Sequence, residues 1–177
     1  MSYQFKIILI GPGSVGKTSL VNRFVHNRFS SSYEMTMGVD IMNKKIDIED
    51  TSVTLTIWDI GGQERFKYLR RNFYRGAKGA LLIFDLSRVF TYENLTKKWY
   101  AEMLKYTKHE IPFILIGNKL DLISEVGRIF EPNISSEFAN EKGSIYIETS
   151  AKTNENVEKA FIELTKRITH KMMAQET

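Results

Sequence analysis

The chain has 177 residues and a formal net charge of +4, from 25 Lys and Arg against 21 Asp and Glu. That length suits one domain, residues 1–177, with a substantial core, and 42% apolar with 26% charged residues is the balance of an ordinary soluble globular protein. No apolar run is long enough to cross a bilayer and no secretory signal precedes the first strand. The absence of cysteine excludes disulfides, thiolate metal sites, cysteine nucleophiles and cysteine-borne lipids in this sequence, so a cytoplasmic protein is expected.

The first apolar run, Ile7-Ile8-Leu9-Ile10, reads as a strand. Gly11-Pro12-Gly13-Ser14-Val15-Gly16-Lys17-Thr18 follows, and then Leu20-Val21 and Phe24-Val25 repeat at helical spacing. Strand, glycine loop and helix in that order make a phosphate-binding loop. Its glycines let backbone N–H groups turn toward an anion, and the helix N-terminus adds unpaired N–H groups and the positive end of its dipole. Gly13, Ser14, Val15, Gly16, Lys17, Thr18 and Ser19 are therefore expected to hold phosphates. Lys17 acts there as a mobile point charge, and Thr18 offers a hydroxyl to Mg²⁺.

Phe29 to Thr36 is polar and aperiodic, as a mobile loop would be. Phe29 could lie against a base, Tyr33 over phosphates, and Thr36 could give Mg²⁺ a second hydroxyl. Residues 40–48 and 52–58 read as two strands joined by a turn at Glu49-Asp50-Thr51-Ser52, the second alternating through Val53, Leu55 and Ile57. Asp59-Ile60-Gly61-Gly62-Gln63-Glu64 follows. A carboxylate at Asp59 can hold Mg²⁺ through a water, Gly62 can offer its N–H to the last phosphate, and Gln63 can orient a water without being a strong base. Phe66, Leu69 and Phe73 suggest a short helix.

Ala80–Phe84, Phe113–Ile116 and Ile145–Ile147 are further apolar runs of the kind found in parallel strands buried on both faces. Between and after them, Tyr92, Leu95, Trp99, Met103 and Tyr106 share a helical face with Thr91 as N-cap. Ile134 with Phe138 suggest a short helix, and Val157, Ala160, Phe161, Leu164 and Ile168 mark a last one capped near Thr153 or Asn154. Gly117-Asn118-Lys119-Leu120-Asp121 identifies the base: the Asp121 carboxylate can accept two parallel hydrogen bonds from the ring N–H and exocyclic amine of guanine, which adenine cannot supply. The Lys119 stem can cover one face of the base and Asn118 can brace the loops. In Glu148-Thr149-Ser150-Ala151-Lys152, the Ala151 N–H could reach the guanine carbonyl, and Ser150 could steady Asp121. Lys166, Arg167, His170 and Lys171 read as a solvated helix end suited to the dipole.

Strands alternating with helices give an α/β fold. The expectation is a P-loop NTPase three-layer sandwich: about six strands, mostly parallel with one antiparallel edge strand, and helices on both faces.

These motifs together resemble the Ras superfamily of small GTPases, and within it the Rab-type branch, over roughly residues 4–170. Gly11–Thr18, Thr36, Asp59–Gly62, Asn118–Asp121 and Ser150–Lys152 occur in the family's order. Met37–Ile41, Leu55–Trp58, Gln63–Phe66, Phe73–Ala77 and Leu82–Ser87 carry the Rab-like character. The resemblance implies a GTP/GDP switch that hydrolyses GTP slowly, with Mg²⁺ as cofactor and Gln63 and Lys17 as catalytic residues. Exchange factor, GTPase-activating protein and effectors would read residues of about 30–41 and 59–76. A monomer without nucleic-acid partners is expected. Arg23, Arg28, Arg65, Arg70, Arg71 and Arg75 lie near these loops and read as surface contacts.

Departures from the pattern accompany this. Rab-type chains usually end in a prenylated cysteine tail, whereas residues from about 171 end here in Met172-Met173-Ala174-Gln175-Glu176-Thr177, which leaves membrane contact open. Gly61 replaces the family's usual alanine and could loosen the loop carrying Gln63. The phosphate loop reads Pro12-Gly13-Ser14, and Met37 and Ile41 replace isoleucine and phenylalanine. A loosened Gly61-Gly62 pair would suit a nucleotide-locked binding module that hardly hydrolyses, the alternative to the switch. An ATP-dependent enzyme is the third reading, and Asn118–Asp121 argues against it.

Overall fold

A computed structural model describes residues 2–176; the end of the C-terminal tail, Thr177, lies outside them. Among the described residues six strands form one sheet, in the order β2-β3-β1-β4-β5-β6. They are β1 (Ser2–Ile10), β2 (Val39–Ile48), β3 (Thr51–Ile60), β4 (Gly79–Asp85), β5 (Phe113–Asn118) and β6 (Tyr146–Glu148). Only β2 runs antiparallel to its neighbour. This is the expected mixed sheet with an antiparallel edge.

The helices are α1 (Lys17–His26), α2 (Lys67–Tyr74), α3 (Val89–Asn94), α4 (Tyr100–Thr107), α5 (Ile123–Val126), α6 (Pro132–Glu141) and α7 (Val157–Glu176). A π-helical turn, Leu95–Trp99, joins α3 to α4. Side chains alternate along each strand, so the unbroken apolar run of β1 serves two cores. Ile7 and Leu9 meet α1 and α7 through Leu20, Phe24, Phe161 and Leu164. Ile8 and Ile10 join the opposite layer with Tyr74, Leu95, Trp99 and Met103. The Phe24 and Phe161 rings stack at 4.0 Å and lock α1 to α7. Each fully buried Ile, Leu or Phe contributes roughly 1.5–3 kcal/mol, so these two layers hold the sheet rigid beneath its loops.

Several local expectations change. The hairpin turn is two residues, Glu49 and Asp50, with Glu49 at φ 52°; Thr51 and Ser52 already pair with Ile48 and Asp47 in β2. Strand β3 runs on through Ile60, so Asp59 is a strand residue beside Leu9 of β1. Thr91 is not an N-cap. Helix α3 begins at Val89, and the Thr91 hydroxyl instead accepts from the Asp85 N–H at 3.0 Å and donates to the Arg88 carbonyl at 2.7 Å. Helix α7 begins at Val157, after Asn154 and Asn156 in left-handed conformation, so neither Thr153 nor Asn154 caps it. The short helix expected around Phe66, Leu69 and Phe73 is α2, whose buried residues are Arg70 and Tyr74, with Phe73 packed partly buried against the core and Leu69 52% exposed. Near the C-terminus, Arg167 donates to the Gly143 carbonyl at 3.0 Å and Lys171 to that of Glu110, so these cations tie loops down as well as facing solvent.

Candidate functional site

Parallel pairing of β1 with β3, β4 and, through β4, β5 brings their carboxyl ends to one edge of the sheet. A cleft of about 600 Å³ opens there. Gly13, Ser14, Gly16, Lys17, Thr18 and Ser19 line it, with Phe29, Tyr33 and Thr36 from the following loop and Gly62 and Gln63 after β3. Asn118, Lys119, Asp121, Ala151 and Lys152 complete it. Val15, Asp59 and Ser150 do not reach the cleft; each is buried, and Asp59 and Ser150 hold residues that do.

Glycine is required at one point within the phosphate loop and at one that packs against it from beyond β3. Gly16 has φ 97°, and a Cβ there would lie 2.3 Å from the Asn118 amide nitrogen. At Gly62 a Cβ would lie 2.5 Å from the Gly13 nitrogen. A Cβ at Gly13 would meet open space, so that side of the loop is free for a ligand. Gly61 is not the loosening element that its identity suggested. Its N–H donates to the Gly38 carbonyl at 2.8 Å, and a Cβ would lie 2.6 Å from the Thr36 carbonyl oxygen. The missing side chain draws the two loops together, which removes the feature that favoured a locked module.

The Lys17 ammonium curls back onto the carbonyls of Gly11 and Pro12, both at 2.8 Å. Burial lowers its pKa to about 8, with the Asp59 charge opposing. Beside it, the Thr18 hydroxyl donates to Asp59 Oδ2 at 2.5 Å and lies 2.7 Å from the Thr36 hydroxyl. Burial raises the Asp59 carboxyl, against the Thr18 hydrogen bond and the Lys17 charge. Asp59 Oδ1 is buried with no hydrogen-bond partner among the described residues. Two hydroxyls converging on a carboxylate with an unsatisfied oxygen are the hard donor set that fits Mg²⁺. Gln63 Nε2 is also buried without a partner among the described residues.

Around Asp121 the geometry is one of bracing. Ser150 Oγ donates to Asp121 Oδ1 at 2.6 Å and accepts from the Thr153 N–H at 3.1 Å. Asn118 donates from Nδ2 to the Val15 carbonyl at 3.0 Å and accepts the Thr149 hydroxyl on Oδ1 at 3.0 Å, joining three loops. Lys119 Nζ lies 2.8 Å from both the Ser14 carbonyl and Asp85 Oδ2.

Three contributors were not read from the sequence. Asp85, 1% exposed, ends β4 and holds Lys119 and Arg88, each at 2.8 Å. Burial alone would raise its carboxyl, but hydrogen bonds from Lys119, Ser87 and Arg88 bring it below the ordinary range. Its position just past an apolar run was a usable signal, since the other site residues follow strands in the same way. Arg88 also donates to the Ser14 carbonyl at 2.8 Å, tying the β4–α3 loop to the phosphate loop. Arg23, read as a surface contact, donates to the carbonyls of Ala151 and Lys152 at 2.8 and 2.9 Å. Arg88→Ala should leave the fold intact and speed GDP release roughly threefold, because the partly exposed tie between Asp85 and the Ser14 carbonyl is lost. Dissociation of a fluorescent GDP analogue, chased with excess GDP, would measure it.

Comparison with known proteins decides the family. The model described as "Ras family" matches residues 6–170. The chain belongs to the Ras family. Among its relatives, the Ras-related protein Rab-1 of Theileria annulata is 39% identical over 170 residues, covering 96% of this chain and 76% of the relative. RABG3b of Arabidopsis thaliana is 42% identical over 166 residues, covering 91% of this chain and 81% of the relative. Rab7 of Glycine max is 41% identical over 166 residues, with 91% and 80% covered. This Ras-family protein is thus a small GTPase of the Rab type, a guanine-nucleotide switch that hydrolyses GTP. Among the described residues no helix is long and apolar enough to cross a membrane.

Proposed function

We propose that this Rab-type GTPase performs its reaction in the cleft beyond β1, β3 and β5, within one nucleotide-binding domain. Backbone N–H groups of Gly13 to Ser19 hold the phosphates, and Lys17 leaves its two carbonyls to bridge the terminal ones. Thr18, Thr36 and, through a water, Asp59 would hold Mg²⁺, which would supply neutralising charge to the phosphate oxygens. Gly62 offers its N–H to the γ-phosphate, and Gln63 orients the attacking water with its unpaired amide. Water oxygen bonds to γ-phosphorus in line as the bond to the bridging oxygen breaks, and the water proton passes to phosphate. Asp121 accepts the guanine ring N–H and amine, Lys119 covers the ring, the Ala151 N–H meets the carbonyl, and Phe29 and Tyr33 close over the ligand.

The observation that carries this reading is one cleft lined by Thr18 and Thr36, with Asp59 bonded behind them, by the unpaired Gln63 amide and by the braced Asp121. Exposed Met35, Met37, Ile41, Tyr68 and Leu69 support regulators and effectors docking on residues 30–41 and 59–76, since large apolar groups left in water mark interaction surfaces. The Rab relatives support a cytoplasmic switch in membrane trafficking. Denaturing the purified protein and separating the released nucleotide by chromatography tests the core of it, with GDP expected. An adenine nucleotide would sink the assignment of Asp121, and GTP alone would sink that of Gln63.

A further inference from the structure

Arg70 is 1% exposed, on a helix that otherwise lies mostly in solvent. Of the 8 residues of α2 only Arg70 and Tyr74 are buried, and both converge on one carboxylate, Glu102 of α4. Arg70 Nε and Nη2 donate to Glu102 Oε1 and Oε2 at 2.8 and 2.9 Å, and the Tyr74 hydroxyl donates to Oε1 at 3.0 Å. The Trp99 ring covers the guanidinium at 4.2 Å. The remaining nitrogen, Nη1, donates to the backbone carbonyl of Gln63 at 2.9 Å.

A guanidinium is planar, so two bonds to one carboxylate fix the direction of its third nitrogen. Glu102 therefore determines where the Gln63 carbonyl is held. The helix that carries Glu102 is itself out of α-helical register. The π turn Leu95–Trp99 ends at Trp99, and Glu102 follows three residues later on the same face. Their spacing of three residues sets indole and carboxylate side by side against α2. Burial of this ion pair is weak grounds for stability, since apolar residues of similar volume commonly do as well. What it supplies is direction.

We propose that Arg70 is a positioning residue for GTP hydrolysis: clamped by Glu102, it holds the Gln63 backbone so that the Gln63 amide stands where the attacking water must be oriented. This rests on the role proposed above for Gln63. It also makes α4 a route by which packing changes on that side of the molecule reach the reaction.

The test is single-turnover hydrolysis of preloaded GTP, alongside GDP release and thermal unfolding. Glu102→Gln keeps the shape and removes the charge, and Arg70→Lys cannot span Glu102 and the Gln63 carbonyl together. Each should slow hydrolysis by about tenfold to a hundredfold, the effect of misplacing a group by a fraction of an ångström to an ångström. GDP release should stay within about twofold, because neither side chain lines the nucleotide cleft. Placed in a Gln63→Leu background, Glu102→Gln should add no further slowing, whereas a merely structural effect would slow both backgrounds equally. Folded Glu102→Gln and Arg70→Lys proteins that hydrolyse at the parental rate, or equal slowing in both backgrounds, would overturn the clamp alone. If Gln63→Leu itself hydrolyses normally, the role of Gln63 falls and the clamp falls with it.

Discussion

Asp121→Asn should lower affinity for GDP by roughly a thousandfold while leaving the fold intact. Asp121 stands in the cleft with Oδ1 already fixed by the Ser150 hydroxyl at 2.6 Å. Guanine presents two donors side by side, a ring N–H and an exocyclic amine, and a carboxylate accepts both. An asparagine replaces one acceptor with an NH₂ group, which then faces a donor. The site loses two charge-assisted hydrogen bonds and gains a repulsive pair, both away from bulk water. The same exchange should favour a base that carries a carbonyl beside its ring N–H, because that edge complements an amide. Competition of GDP, ADP and xanthosine diphosphate against a fluorescent nucleotide would report both effects. Undiminished guanine preference in the variant would remove Asp121 from base recognition.

Gln63→Leu should slow hydrolysis about a hundredfold, the low end of what one preorganised polar group contributes to a transition state, with nucleotide affinity nearly unchanged. The physical ground is the Gln63 Nε2 amide, buried in the cleft wall with no hydrogen-bond partner among the described residues. An unsatisfied buried donor costs about 1–3 kcal/mol, so it persists where a ligand or water satisfies it. Leucine has similar bulk and no donor or acceptor. It relieves that cost and leaves the water unoriented, so the folded protein should be no less stable. Phosphate release after adding Mg²⁺ to GTP-loaded protein measures the rate, and thermal unfolding checks the stability. A parental rate would strip Gln63 of its role.

Why one part of the site was readable and another was not follows from how each is built. The phosphate loop and Asn118–Asp121 are contiguous, and their chemistry needs particular residues at adjacent positions, so order along the chain is nearly order in space. Thr36 and Asp59 lie far from Thr18 in sequence; Asp59 was accessible because it follows a recognisable strand, whereas Thr36 sits in an aperiodic loop and was reached only through the motif order of the family resemblance. Arg70 was not. The spacing of Phe66, Leu69 and Phe73 marked a short helix, and nothing local says that an arginine 32 positions from Glu102 will be buried against it. Burial of a charge is decided by its partner, and the partner comes from another helix.

The sequence by itself determined the fold class, the end of the sheet at which the cleft opens and most of the residues that line it, because apolar runs set the strands and the cleft lies where those strands end. Only the tertiary structure decided the rest. It buried Arg70 and Tyr74 of α2 while leaving Leu69 exposed, and made Gly61 a close contact rather than a loose joint. It also enlisted Arg88, Asp85 and Arg23 as braces and set Glu102 to hold the backbone of Gln63. Each of these depends on two segments meeting at hydrogen-bond distance, and no single stretch of sequence encodes that distance.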